Sequence, residues 1–288
     1  MSKSKLIFLF YFVLLVLCGL LFSNALMLLM FWLKGIGLNS LFQDGVEALD
    51  LLSAKELLVM QLCSQVFSMI LPAWIYLKID QELASRLKVE AFKLDLFLLS
   101  LAFFLLSIPL VGFAAYCNQL IPLPEWMVQS EDRVKQFIEK LLVFKSFSDL
   151  ILSFIVIAVI PAIAEEWVFR GIIQNYLIRW LRNPWIAVIL SSIIFSGIHM
   201  QFEGFLPRFL LGFSLGFVYL AGKNLWYPIL LHLFNNGSQI LVAYFNQDEL
   251  QKQLSGEMNK PETSLILIST LLCVLNGWFL FRKSNTTL

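Results

Sequence analysis

The chain alternates long apolar runs with short polar connections, and eight of the runs are candidates to cross a bilayer. They cover about 6–33, 56–77, 95–116, 150–169, 185–199, 205–221, 225–245 and 264–281, near the roughly 20 residues a helix needs to traverse the hydrocarbon core. The fifth and sixth are short for a full crossing. Within the first run, Ser23-Asn24-Ala25 resembles a signal-peptidase site. The apolar stretch continues beyond it to Leu33, longer than a signal h-region, so a retained transmembrane helix is expected. Between the third and fourth runs, the connection 117–149 opens with Ile-Pro-Leu-Pro-Glu. It then carries Val134, Phe137, Ile138, Leu141 and Leu142 at helical spacing among Glu131, Asp132, Lys135, Glu139 and Lys140. This pattern predicts an amphipathic helix on the outer membrane surface, with a functional lid the less favoured reading.

Composition narrows the class. Of 288 residues, 59% are hydrophobic, 15% aromatic and 14% charged, whereas soluble domains are about half apolar and a quarter charged. The net charge of +1 provides no field to steer a polyanion. A water-soluble enzyme, a disordered chain and a nucleic-acid partner are thereby disfavoured, and the fold class expected is an all-α polytopic membrane bundle of about eight helices. The cysteines Cys18, Cys63, Cys117 and Cys273 show no metal-ligand spacing and read as small apolar packing residues.

Basic residues mark alternate connections: Lys3 and Lys5; Lys78, Arg86, Lys88 and Lys93; Arg170, Arg179 and Arg182; Lys223; Arg282 and Lys283. The opposite connections are mixed or acidic, with Asp44, Glu47 and Asp50, or Asp248, Glu249 and Glu257. The positive-inside rule then puts both termini in the cytoplasm of a multi-pass plasma (inner) membrane protein. Two regions are expected, 1–145 with the N-terminal helices and outer amphipathic segment, and 146–288 with the polar motifs, together forming one structural unit.

Ionisable groups inside apolar runs cost about 2.5–3.5 kcal/mol each on insertion scales, and so read as functional. The segment Ile-Pro-Ala-Ile-Ala-Glu165-Glu166-Trp-Val-Phe-Arg170 places two adjacent carboxylates in one such run. Glu166 and Arg170 are four apart and share a helix face, which predicts a local ion pair. Glu165 is rotated about 100° away, without that partner, so the two carboxylates can take different acid–base roles. A buried ion pair that merely fixes helix packing would explain Glu166 and Arg170 but not Glu165. The chain has only two histidines. His199 ends the fifth run in Phe195-Ser-Gly-Ile-His199, and His232 lies in the seventh, four residues before Asn236 and on the same face.

Depth arithmetic brings these groups together. Arg182-Asn183-Pro184 reads as a turn, with Glu165 17 positions before Arg182 and His199 17 after it. In an antiparallel hairpin both then lie roughly 25 Å from the turn, and His232, nine positions past Lys223, lies roughly 13 Å from the same side. The depths agree if the hairpin projects about 10 Å into the cytoplasm, so Glu165, Glu166, His199, His232 and Asn236 are expected to share a cavity facing the cytoplasm.

Carboxylate, imidazole and amide together suit hydrolysis. A glutamate beside a histidine can deprotonate water and return the proton to a leaving amine, and a second His with Asn can stabilise an oxyanion. Alternatively, two His and a carboxylate could ligate Zn²⁺, although HExxH is absent. A proton-coupled transporter is disfavoured because no further intramembrane charges or broken helices mark a through-path.

The ordered motifs Glu165-Glu166-Trp-Val-Phe-Arg170, Phe195-Ser-Gly-Ile-His199 and His232-Leu-Phe-Asn-Asn236 resemble those of the CPBP intramembrane endopeptidases. That family includes the type II CAAX prenyl proteases and the bacteriocin-processing and self-immunity proteins. The resemblance covers about 150–240 and implies a CPBP-like catalytic core. It implies that Glu165 activates water with His199, that His232 and Asn236 stabilise the oxyanion, and that Glu166 and Arg170 support the site. It further implies a membrane-associated or lipid-modified peptide or protein as substrate. A glutamate-type mechanism without a cofactor is preferred to a zinc-dependent one because Asn236 is a poor zinc ligand. A catalytically silent scaffold or immunity protein that binds a partner helix is the alternative from another functional class.

Overall fold

The computed structural model describes residues 3–36, 51–87, 91–248, 250, 252 and 260–286. Its helices are α1 (Lys3–Leu33), α2 (Ala54–Ile79), α3 (Gln81–Arg86), α4 (Leu94–Gln119), α5 (Glu125–Leu141), α6 (Phe147–Leu181), α7 (Pro184–Gly197), α8 (Phe205–Gly222), α9 (Trp226–Phe245) and α10 (Thr263–Thr286). No strand occurs among the described residues, and the chain is a polytopic helical bundle. Each of the eight apolar runs coincides with a helix. Six of these, α1, α2, α4, α6, α8 and α10, are long and apolar enough to cross a membrane. The other two differ for identifiable reasons: α7 has 14 residues, and α9 carries His232, Asn235, Asn236, Ser238 and Gln239, which lower its hydropathy. Asp44, Glu47, Asp50, Lys88, Glu249 and Glu257, used above for orientation, lie outside the described residues.

Local chemistry sets the helix boundaries. Ser53 and Glu56 cap the start of α2 reciprocally, satisfying N–H groups that have no intrahelical partner. The turn between α6 and α7 falls at Arg182, in the left-handed region with φ 54°. Asn183 then caps α7 by accepting from Trp185 N and Ile186 N at 3.0 and 3.2 Å, and Pro184 occupies the first turn, where its missing N–H costs nothing. Two π-helical stretches, Val66–Ile70 in α2 and Phe154–Val159 in α6, immediately precede turns containing Pro72 and Pro161. Proline clashes with the carbonyl four residues back, and a widened turn relieves that clash. A third π stretch, Trp167–Gln174, has no proline and carries Arg170.

The first buried cluster joins α4, α8, α9 and α10 through Phe103, Phe104, Leu215, Val218, Leu231 and Cys273. A second joins α1, α2, α3, α6 and α7 through Phe12, Tyr76, Leu83, Phe169, Ile172 and Phe195. Large apolar side chains such as Trp32, Leu21 and Phe245 remain exposed, as expected where lipid replaces water at the surface. The amphipathic segment forms α5 as expected, but its apolar face is not turned wholly to the membrane. Leu141 and Phe137 pack with Leu57, Leu58 and Val156, while Leu142 and Ile138 pack with Leu150 and Ile240. Among the described cysteines all are free, and Cys273 is buried while Cys18 is exposed.

Candidate active site

Of the polar residues picked out in the sequence, Glu165, Glu166, Arg170 and His232 are buried within this apolar bundle, while His199 and Asn236 are half-buried. Arg170 and Glu166 have side chains 1% and 0% exposed and are paired at 2.7 Å, Nη1 to Oε1, as the four-residue spacing predicts. The same Glu166 oxygen accepts from His232 Nδ1 at 2.8 Å, linking α6 to α9 and placing Glu166 and His232 at one depth. Glu165 Oε2 lies 3.8 Å from His232 Nε2, so the imidazole sits between the two carboxylates.

Phe195 is the apolar hub of the cluster. Its ring lies 4.9 Å from Arg170 Cζ and 5.0 Å from the Phe169 ring. The His199 and His232 rings stand edge-on to it at 5.1 and 6.1 Å. His199 Nδ1 lies 2.7 Å from the Phe195 carbonyl. A carbonyl can only accept, so Nδ1 carries the proton and the neutral ring keeps its lone pair on Nε2. Asn236 is half-buried one turn beyond His232, and its Oδ1 accepts from Asn235 Nδ2 at 3.1 Å. The structure therefore links Glu165, Glu166, Arg170 and His232 directly, sets His199 beside them across Phe195, and leaves Asn236 on the adjoining turn.

Two further interactions hold α6 against α8. Arg170 Nη2 donates to Gly212 O at 2.9 Å, and one turn later Gln174 Nε2 donates to Gly216 O at 3.0 Å. A Cβ on Gly212 would come within 3.0 Å of Phe195, and one on Gly216 within 2.9 Å of Gln174. The glycines thus let α8 approach closely enough for its carbonyls to meet these donors, the use small residues four apart have in membrane bundles. This glycine pair did not figure in the sequence reading; the Gly212-Phe-Ser-Leu-Gly216 spacing was the available signal.

Among the described residues no three His, Cys, Asp or Glu side chains converge to hold an ion. His232 Nδ1 is engaged by Glu166 and His199 Nδ1 by the Phe195 carbonyl.

Comparison with known proteins bears on this same stretch. Residues 147–238 match the family model described as type II CAAX prenyl endopeptidase Rce1-like. Over that stretch the chain is similar to that family. It is similar to an uncharacterized 24.3 kDa protein of Escherichia coli, with 31% identity over 101 residues, 34% of this chain and 46% of that protein. A Bacillus subtilis protein, YdiL, whose name marks it as a candidate membrane peptidase, is 32% identical over 109 residues, 36% of this chain and 44% of its own length. The membrane-embedded CAAX protease MroQ of Staphylococcus aureus is 25% identical over 150 residues, covering 50% of this chain and 60% of that protein. The chain spans about half the length of the curated relatives it matches. No solved structure matches. The motif-based family resemblance is thus borne out, and all three motifs fall inside the matched segment.

Proposed function

We propose that the protein is an intramembrane endopeptidase that hydrolyses peptide bonds of a membrane-associated or lipid-modified peptide or protein. The observation that carries this reading is the convergence of Glu165, the Glu166–Arg170 pair and His232 around Phe195, with His199 alongside, inside an otherwise apolar bundle. Glu165 is the general base: it takes a proton from water and, with His199 Nε2, delivers it to the leaving amine. His232, its Nδ1–H held by Glu166, presents Nε2–H to the oxyanion when doubly protonated. Asn236, its Oδ1 already engaged by Asn235, adds its amide N–H groups. The names of YdiL and MroQ and the Rce1-like match support peptidase chemistry.

The basic connections support a plasma-membrane location with cytoplasmic termini. The loop after His199 is covered by α4 and α5, which supports access from the opposite, cytoplasmic end. In reconstituted vesicles, wild-type protein is expected to cleave members of a membrane-peptide library, with Glu165→Ala inactive and chelator without effect. Loss of cleavage with chelator and rescue by Zn²⁺ would overturn the cofactor-free mechanism. Failure to cleave any library member would favour a partner-binding scaffold.

A further inference from the structure

The seven residues 198–204 that join α7 to α8 carry His199, and side chains from the N-terminal half of the chain grip this loop. Asn118, 3% exposed at the end of α4, donates from Nδ2 to Phe202 O at 2.8 Å and accepts from Leu206 N at 2.7 Å. Glu131, 5% exposed on α5, accepts from Phe202 N and, at 3.1 Å, from Glu203 N. Both backbone polar groups of Phe202 are therefore satisfied by α4 and α5. Lys135 Nζ pairs with Glu203 Oε2 at 2.8 Å, and the Trp126 ring meets Phe202 edge-on at 5.4 Å.

The loop needs such support for two physical reasons. Buried backbone N–H groups without partners destabilise an irregular segment. Moreover, Met200, directly after His199, holds φ at 52°, a left-handed conformation that a side-chain-bearing residue keeps only where its surroundings impose it. A buried carboxylate is itself costly unless compensated. Here the two backbone N–H donors compensate Glu131.

We propose that Glu131 and Asn118 are positioning residues for His199, so that α4 and α5 complete an active site whose motifs all lie in 147–238. Neither residue touches the reacting atoms. The inference rests on the peptidase reading for its functional meaning, but its first test does not depend on activity. The chain has two histidines, so protein labelled with isotopic histidine in nanodiscs gives two imidazole signals, assigned with His232→Ala. Glu131→Ala is expected to shift the His199 signal and leave that of His232 in place. Glu131→Gln, which keeps an acceptor oxygen, is expected to restore it.

In a cleavage assay Glu131→Ala should lower kcat by about 10-fold or more with KM within about twofold, because small displacements of a reacting group are costly. Trp126→Ala alters an exposed ring and leaves the buried packing intact, so it should shift the same signal to a smaller extent. An unmoved His199 signal in folded Glu131→Ala and Trp126→Ala proteins, or failure of Gln to restore it, would overturn the proposal. An inactive wild type would overturn the peptidase reading alone, since the imidazole shifts would still report on the clamp.

Discussion

Replacing Arg170 with methionine keeps much of the side-chain volume and removes the buried cation. The guanidinium makes three contacts: with Glu166 at 2.7 Å, with Gly212 O at 2.9 Å and with the Phe195 ring at 4.9 Å. Its loss leaves Glu166, whose side chain is 0% exposed and whose Oε2 already has no hydrogen-bond partner, with His232 as its one polar contact. Breaking a buried pair in this way costs about 3–5 kcal/mol, most of it from the uncompensated charge left behind. Glu166→Gln removes that charge, so the double variant should be less destabilised than Arg170→Met alone, with a coupling of at least ~2 kcal/mol. Equilibrium unfolding in mixed micelles, followed by fluorescence of the eight tryptophans, measures each corner of the cycle. A cost below ~1 kcal/mol for Arg170→Met, or additive single costs, would refute this reasoning.

Other outcomes can be checked in the same unfolding assay. Gly212→Ala and Gly216→Ala push a Cβ to 3.0 Å from Phe195 and 2.9 Å from Gln174, and overpacking of this kind should cost about 1–3 kcal/mol each. Gly197→Ala meets nothing within 4 Å and should be neutral or stabilising by up to ~1 kcal/mol. Asn183→Ala removes the cap that accepts from Trp185 N and Ile186 N and should cost about 1 kcal/mol.

The helices and most of the site were legible because the relevant signals are local. Apolar run length marked all eight candidate spans, Arg182-Asn183-Pro184 marked the hairpin, and the spacing of Glu166 and Arg170 gave their ion pair. The meeting of α6 and α9 that the depth arithmetic anticipated is seen in the Glu166–His232 bond. What stayed hidden depends on partners distant in sequence. Gln174 and Gly216 are 42 residues apart, and Glu131 and Phe202 71. Nothing in the periodicity of α5 separates a face turned to lipid from one packed on Leu57 and Val156. The polar residues that qualify α9 for the site reduce its apolar signal, which keeps it outside the six helices long and apolar enough to cross a membrane.

The division of labour between the two adjacent glutamates is the sharpest point to test. Single-turnover cleavage of a membrane-inserted peptide, with unfolding measured on the same preparations, compares Glu165→Gln, Glu166→Gln and His199→Ala with wild type. If Glu165 is the base, Glu165→Gln should remain as stable as wild type and lose about 10²–10⁴-fold in rate, with His199→Ala losing a similar factor. Glu166→Gln should instead be the unstable member, because it strands Arg170. Wild-type cleavage by Glu165→Gln would contradict the proposed mechanism at its centre.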